Sequence, residues 1–405
     1  MNISSFISSR LQNPQKGSFS SVISWIAVGG VAIGIFVMII SFAILYGFQI
    51  SVTDKIVSFG GHIQLTYYDL TQSFESKPIR LNASFVDTCL KNKEIKNISP
   101  FATKAGLLKA NGEVLGVLLK GIDQRYDSTF FKTNLKKGRL IAFSDSIYSK
   151  EVIISNHIAR LLKIDVDSEL ILYFMQNPPR VRKLKVCGIY ETGMEEFDEL
   201  YLIGDIKLIQ KVNNWPDTLI GGYEIFVNNF QTLEKTAGFV YDVMDFDIGL
   251  EKISDKYAAI FDWLTLLDRN VVIFLIIIVT VACFNMASTL LIMIMERTQM
   301  IGILKAIGAN NFLLGRIFFM NGMWLIFKGL LIGNVFAIVF CLVQYYFKII
   351  PLDPENYYMK SVPVYWDWYT FFLMNGLILL CNGIVLMIPL VIISSIKPIR
   401  AIRFN

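Results

Sequence analysis

Few residues in this chain are arranged for bond-making chemistry. The two histidines, His62 and His157, have no metal-binding residue three or four positions away. No Ser/His/Asp grouping, Cys-x-x-Cys pair or Gly-x-Ser-x-Gly elbow accompanies them. No Gly-x-x-x-x-Gly-Lys-Ser/Thr stretch occurs, so these residues carry no loop of that kind for cradling nucleotide phosphates. The acids of MEEFDEL, Met194 to Leu200, leave two readings: a cation site, or a solvated turn, which is the default for such a run. Cys89 and Cys187 lie outside the apolar stretches and could pair. Cys283, Cys341 and Cys381 lie inside them, where a thiol acts as a small apolar group.

The informative polar residues sit in apolar surroundings. Asn285, with Ser288 one turn on, falls mid-stretch, and an amide in lipid must find a partner on another helix or in a wet cavity. Lys328 either snorkels along its stem or faces a dimer interface. The segment ERTQMIGILKAIGANN, Glu296 to Asn311, joins two apolar runs. As a helix it sets Met300, Ile303, Leu304 and Ile307 on one face. Thr298, Gly302, Lys305 and Ala309 form a second face, small and polar, that lets a partner approach. By pattern it is either a plain amphipathic connector or a docking helix.

The elements that hold these residues follow from charge and hydropathy. Of 405 residues 54% are hydrophobic and mean hydropathy is +0.51, too apolar for an ordinary soluble chain. Charge-free stretches run over Gly17–Thr53, Asn270–Met295, Gly329–Phe347 and Trp368–Ile396; the third extends back through Ile317 if Lys328 is tolerated. The fold class expected is an α-helical membrane protein with four transmembrane helices and a large α+β periplasmic domain inserted between helices 1 and 2. Arg10 and Lys16, then Arg297, Lys305 and Arg316, then Lys397, Arg400 and Arg403 mark cytoplasmic segments, so both termini are expected inside. The net charge of +5 is therefore a topology signal rather than a nucleic-acid footprint. The expected divisions are 1–18, an amphipathic helix on the inner surface; 19–50, the first span; 51–266, the external domain; 267–295, the second span; 296–312, the cytoplasmic helix; 313–348, the third span; 349–367, an external loop; 368–396, the fourth span; and 397–405, a cytoplasmic tail. The first span reads as an uncleaved anchor, and its Gly30-Val-Ala-Ile-Gly34 pair permits close helix approach.

Within the external domain, Ala102–Ala110, Asn111-Gly112 and Glu113–Lys120 spell a hairpin with a type I′ turn. EVIISNHIARLLKIDVDSELILYF reads as strand, Ser/Asn cap, short helix, turn and strand. RKLKVCGIY alternates like a strand, while GDIKLIQKV and FQTLEKTAGFVYDV have helical periodicity. The strand-rich half ends near Asp145, which suggests two lobes.

ACFNMASTLLIMIMERTQMIGILKAIGA, Ala282 to Ala309, resembles the span and coupling helix of the permeases typified by LolC and LolE, MacB and FtsX. PIRAIRFN is similar to that family's closing tail. GGVAIGIFVMIISFAILYGF, VCGIYETGMEEFDELYLI and SVPVYWDW resemble the LolC/LolE branch in particular. The resemblance implies the permease subunit of an ABC transporter that extracts lipoproteins from the inner membrane of a diderm bacterium, not itself catalytic. Other readings are an FtsX-like relay that activates a periplasmic partner and a MacB-like efflux subunit.

The resemblance further implies an ABC ATP-binding subunit that holds ATP and Mg²⁺, a second permease copy or paralogue, a lipoprotein substrate, membrane lipid and a periplasmic carrier, with no nucleic acid and no cofactor bound by this chain. Glu296, Arg297, Ile301, Gly302, Leu304, Lys305 and Gly308 would couple to the ATP-binding subunit. Gly30, Gly34, Phe48, Asn285 and Ser288 would pack the helices or line the lipoprotein path. Two departures stand out: the stretch matching the carrier-binding loop, YFMQNPPRVR from Tyr173 to Arg182, is short, and Met300 stands where many relatives carry an acid.

Overall fold

The computed structural model describes residues 19–69, 74–144, 148–353, 357–389 and 391. The helix expected over 1–18, the tail over 397–405 and the last residues of the fourth span lie outside the described residues. In chain order the elements are α1 (Phe19–Gly60), β1 (Ile63–Tyr67), β2 (Ile79–Arg80), α2 (Ala83–Leu90), β3 (Ile95–Ala110), β4 (Glu113–Ile122), α3 (Thr129–Thr133), β5 (Leu135–Gly138), β6 (Glu151–Ser155), α4 (Asn156–Leu162), β7 (Glu169–Phe174), β8 (Arg180–Tyr190), α5 (Glu195–Asp198), β9 (Tyr201–Asp205), α6 (Ile206–Asn213), β10 (Leu219–Ile220), β11 (Gly222–Val227), α7 (Leu233–Val243), β12 (Ile248–Lys252), α8 (Ile253–Lys256), α9 (Ala258–Glu296), α10 (Thr298–Ala306), α11 (Asn311–Phe347) and α12 (Trp368–Val385).

Side-chain caps fix where several helices start. Asn82, Ser155 and Asp205 accept backbone hydrogen bonds at the first turns of α2, α4 and α6, and Asn310 and Asp367 do so for α11 and α12. Each satisfies an orphan donor that a helix start leaves open.

The chain divides into two compact bodies: residues to Gln49, Trp263–Pro351 and from Val362 onward in one; Ile50–Asp262 and Leu352–Ser361 in the other. In the first, four helices among the described residues are long and apolar enough to cross a membrane: α1, α9, α11 and α12. The helix α1 runs on to Gly60, past the expected boundary at 50, and α9 starts at Ala258, ahead of 267. With 42 residues, α1 is about 63 Å long at 1.5 Å per residue, about twice a bilayer's hydrocarbon thickness.

The second body is built on one large sheet, with β2 and β10 paired separately. Its strand order is β12-β1-β11-β3-β4-β9-β6-β8-β5, with β7 pairing both β3 and β8. The expected division into two lobes near Asp145 therefore gives way to a continuous sheet. The strand β3 explains this: its 16 residues are long enough to pair β11 through Ile95–Phe101, β4 through Phe101–Ala110 and β7 through Leu107–Lys109. The pairings β3-β4-β9-β6-β8-β7 return to β3 and close a ring, with β12 and β5 left as the end strands of the sheet. The β3–β4 hairpin turns at Asn111 (φ 47) and Gly112 (φ 88), the left-handed pair that a type I′ turn requires. The connection between β7 and β8 is confined to residues 175–179.

A charged pair is buried in this body. Lys120 Nζ lies 2.8 Å and 3.0 Å from the Glu224 carboxylate oxygens, and both residues are at most 2% exposed. The same ammonium donates to the Phe59 carbonyl, and Gln64 Nε2 donates to the Gly60 carbonyl (2.8 Å) and to Glu224 (3.2 Å). Phe59 and Gly60 end α1, so these donors satisfy carbonyls at the negative end of its dipole. Burial pulls the Lys120 ammonium below the usual lysine range, and Glu224 opposes that shift. The Cys89–Cys187 pairing left open by the sequence does not form: both are free and buried, on α2 and β8. Burial pushes their thiols up to about 11 and about 12.

Candidate functional site

The segment between α9 and α11 is a bent helical hairpin. Arg297 (φ −99, ψ 17) breaks the helix after Glu296, and α10 follows. Gly308 at φ +103 ends it, in a conformation only glycine adopts without strain. The Ala309 amide donates to the Leu304 carbonyl and the Gly308 amide to Lys305, closing the C-terminus. The Asn310 side chain then caps α11 by accepting from Phe312 N at 2.5 Å.

Burial decides which face of α10 is free. Ile301 is fully buried in the cluster that contains Ile294, Leu314 and Phe318, and Gly302 is buried with it. Met300, Leu304 and Ala309 pack partly against the same cluster. The outward surface carries Ile303 and Ile307, 48% and 79% exposed, with Phe312 beyond the turn at 77%. Both faces are divided: on the apolar face Met300 and Leu304 pack inward while Ile303 and Ile307 turn outward, and on the small face Gly302 is buried while Thr298, Lys305 and Ala309 are half-buried. Contact with the ends of α9 and α11 makes this division, covering Met300 and Leu304 and leaving Ile303 and Ile307 outside. Of the residues expected to couple, Glu296 and Gly308 are exposed, Arg297, Leu304 and Lys305 are half-buried, and Ile301 and Gly302 are inside.

Helix packing uses glycine on two sides of α1. A methyl group at Gly30 would lie 1.9 Å from Asn285 Nδ2, and one at Gly34 would touch Ala282 and Ile278 at 3.7 Å, so this pair faces α9. Asn285 Nδ2 approaches the Ile26 carbonyl at 3.5 Å, giving the intramembrane amide its partner. Ser288 is exposed on α9, while Phe48 is buried with its ring edge-on to Trp263 at 5.4 Å. Gly329 and Gly333 on α11 form a second close contact, against Val28, Val31, Ala32 and Ile35 of α1. Their spacing is the same small-xxx-small signal as Gly30 and Gly34, and it went unread. Two further amide contacts join spans: Asn334 and Asn375 exchange hydrogen bonds at 2.7 Å and 3.2 Å between α11 and α12, and Asn321 Nδ2 meets Met293 Sδ at 2.9 Å. Lys328 is exposed and reaches back over the Trp324 ring, 5.4 Å from its centroid, toward the start of α11.

In the second body, the acids of 194–200 divide. Glu195, Glu196 and Glu199 are exposed, as a solvated turn requires, but Asp198 is 8% exposed. Its carboxylate accepts from the Thr192 amide (3.1 Å), the Thr192 hydroxyl (2.9 Å) and the Gly193 amide (3.0 Å). Burial raises its pKa and these hydrogen bonds oppose the rise. Asp198 thus locks the Thr192–Gly193 turn rather than meeting solvent.

Residues 24–227 match the family of MacB-like periplasmic core domains, which covers half the chain, and residues 272–398 match the FtsX-like permease C-terminal family. The chain is 24% identical over 347 residues to the lipoprotein-releasing system transmembrane protein LolC of Buchnera aphidicola subsp. Schizaphis graminum, covering 81% of each protein. The chain belongs to the LolC/LolE family of permeases within the MacB/FtsX superfamily. Against LolE of Haemophilus influenzae identity is 23%, covering 84% of this chain and 83% of that one, and against LolC of Neisseria meningitidis serogroup B it is 22%, covering 81% and 79%. The paired glycines of α1 lie within the MacB-like match, and α10, α11 and the part of α9 from residue 272 lie within the FtsX-like one.

Proposed function

We propose that this chain is the transmembrane subunit of an ABC transporter that extracts lipoproteins from the inner membrane toward the outer membrane, with ATP hydrolysed on a separate subunit. The observation that carries the proposal is the hairpin at α10. Its inner face is anchored in the packed ends of α9 and α11, and its outer face offers Ile303, Ile307 and Phe312 to a partner. An apolar knob on an anchored helix can pass a displacement into the spans, because packed helices shift as units. The ATP-binding subunit would grip this knob, with both termini of the permease on the same, cytoplasmic side and the MacB-like domain in the periplasm. A second permease copy or paralogue would complete the lipoprotein path beside α1 and α9, and a periplasmic carrier would receive the product.

Ile307→Asp tests the grip. The variant should keep the permease folded, since Ile307 is exposed, yet reduce co-purification with the ATP-binding subunit and its stimulation of hydrolysis by tenfold or more. Normal assembly and normal stimulation would refute docking at this face. Leu304→Asp and Gly302→Trp strike the anchored side instead and should disturb the permease itself. The match of residues 272–398 to the FtsX-like C-terminal family supports a second reading, a relay that moves no lipoprotein. Depletion separates the two: outer-membrane lipoproteins stranded in the inner membrane support transport, and correct sorting supports the relay.

A further inference from the structure

The loop between α11 and α12 belongs to the second body through residues 352–361. Its described part is closed on itself, the Leu352 amide donating to the Lys360 carbonyl at 3.0 Å. It then meets the turn of residues 191–198 at three points. Lys55 Nζ, from the last turns of α1, donates to the Tyr358 carbonyl (2.5 Å) and to the Thr192 carbonyl (2.6 Å), so one ammonium joins three segments. Lys360 Nζ lies 2.7 Å from Glu191 Oε2, which Lys136 also approaches at 3.0 Å. The Tyr358 hydroxyl donates to Glu196 Oε1 at 3.4 Å.

Two features show that this contact is held rather than incidental. Tyr358 has φ +59, the left-handed region, which a bulky side chain occupies at a cost of about 1 kcal/mol or more. That conformation directs its carbonyl to Lys55, and Met359 beside it is only 8% exposed although the loop is polar. The receiving turn is also rigid, because the buried Asp198 carboxylate holds Thr192 and Gly193. The Lys55 bridge therefore joins a carbonyl of a locked turn, Thr192, to the carbonyl of Tyr358.

We propose that the described residues of this loop, 352–353 and 357–361, form a strap by which α11 and α12 are tied to the external domain, with Lys55 as the positioning residue and Glu191–Lys360 as the clasp. In the transporter this gives the domain a non-helical connection to the spans, besides the helices α1 and α9 that flank it in sequence. A displacement that starts at α10 and moves α11 then reaches the Thr192–Asp198 turn directly. The role in transport rests on the reading under Proposed function; the docking of the strap does not.

The test uses the full transporter in nanodiscs. A Met359→Cys variant should react with a hydrophilic maleimide at least fivefold more slowly than a Glu113→Cys variant, whose site lies at the exposed hairpin tip. Adding Glu191→Gln or Lys360→Gln should accelerate labelling of Met359→Cys several-fold, and combining them should add little, because both remove one contact. Lys55→Met should accelerate it further. In the same particles, lipoprotein released per ATP hydrolysed should fall several-fold in the Glu191→Gln variant while ATP-subunit binding holds. Parental labelling as fast as at Glu113→Cys, or undiminished release per ATP once labelling shows the strap freed, would overturn the proposal. The labelling needs no cargo, so a parent that releases no lipoprotein counts against the functional reading alone and labelling then decides the strap.

Discussion

Replacing Gly333 by alanine should cost stability where the same change at Gly29 costs none. A Cβ at Gly333 would sit 2.2 Å from Ile35 Cγ2 and 2.4 Å from the Ala32 carbonyl oxygen, whereas one at Gly29 meets nothing within 4 Å. The isoleucine can rotate away, but the Ala32 oxygen is backbone. Ordinary contact needs about 3.5 Å, so α11 must retreat from α1 by about 1 Å. Retreat opens gaps at Gly329 and along Val28 and Val31, and overpacking of this kind costs about 1–3 kcal/mol. Both substitutions exchange glycine for alanine inside a helix, so intrinsic propensity largely cancels between them. Unfolding of the purified protein in mixed micelles, followed by tryptophan fluorescence, should place Gly333→Ala about 1–3 kcal/mol below Gly29→Ala. Equal stabilities, or a more stable Gly333→Ala, would show that α1 and α11 are not in the close contact described.

Other outcomes follow from the polar groups. Lys120→Met alone should destabilise by about 3–5 kcal/mol, because it strands a buried carboxylate, and Glu224→Leu in the same chain should recover part of the loss; thermal unfolding of the parent and these two variants checks this. His62 accepts from the Val227 amide at Nδ1, and burial with nearby Lys96 pulls its pKa down to about 4. The unfolded chain binds that proton near pH 6.5, so His62 takes stability away as pH falls from about 6.5 to about 4 and is neutral in effect above that window; His62→Gln should shrink the difference in Tm between pH 7 and pH 5. Asn334→Leu and Asn375→Leu should each destabilise by about 0.5–2 kcal/mol, and the double variant should cost less than their sum, as a double-mutant cycle in micelles would read.

Local signals were legible and long-range ones were not. The Asn111-Gly112 turn and the Ser155 cap were readable because each acts over three or four residues. The spans were readable because a bilayer demands about 20 apolar residues in succession. The closed ring of strands was not, since β3 with β7 and β4 with β9 pair across scores of residues and nothing local marks a partner. The sequence pattern of α10 left its outward side open, because only the neighbouring spans choose which of its apolar residues are covered. Gly329 and Gly333 carried a readable spacing. The strap had none: Lys360 and Glu191 stand 169 residues apart, and a lysine in a polar loop says nothing about which carboxylate it meets.

The thiols of Cys89 and Cys187 bear on what holds the external domain together. With both buried and their ionisation pushed to about 11 and about 12, almost no thiolate exists at neutral pH to attack an oxidant. Because the native domain holds both cysteines free, its stability rests on no disulfide, and reducing agent should leave its Tm unchanged. The same silence makes the wild-type chain a low-background host for single reporter cysteines on that face, with these two native residues left in place.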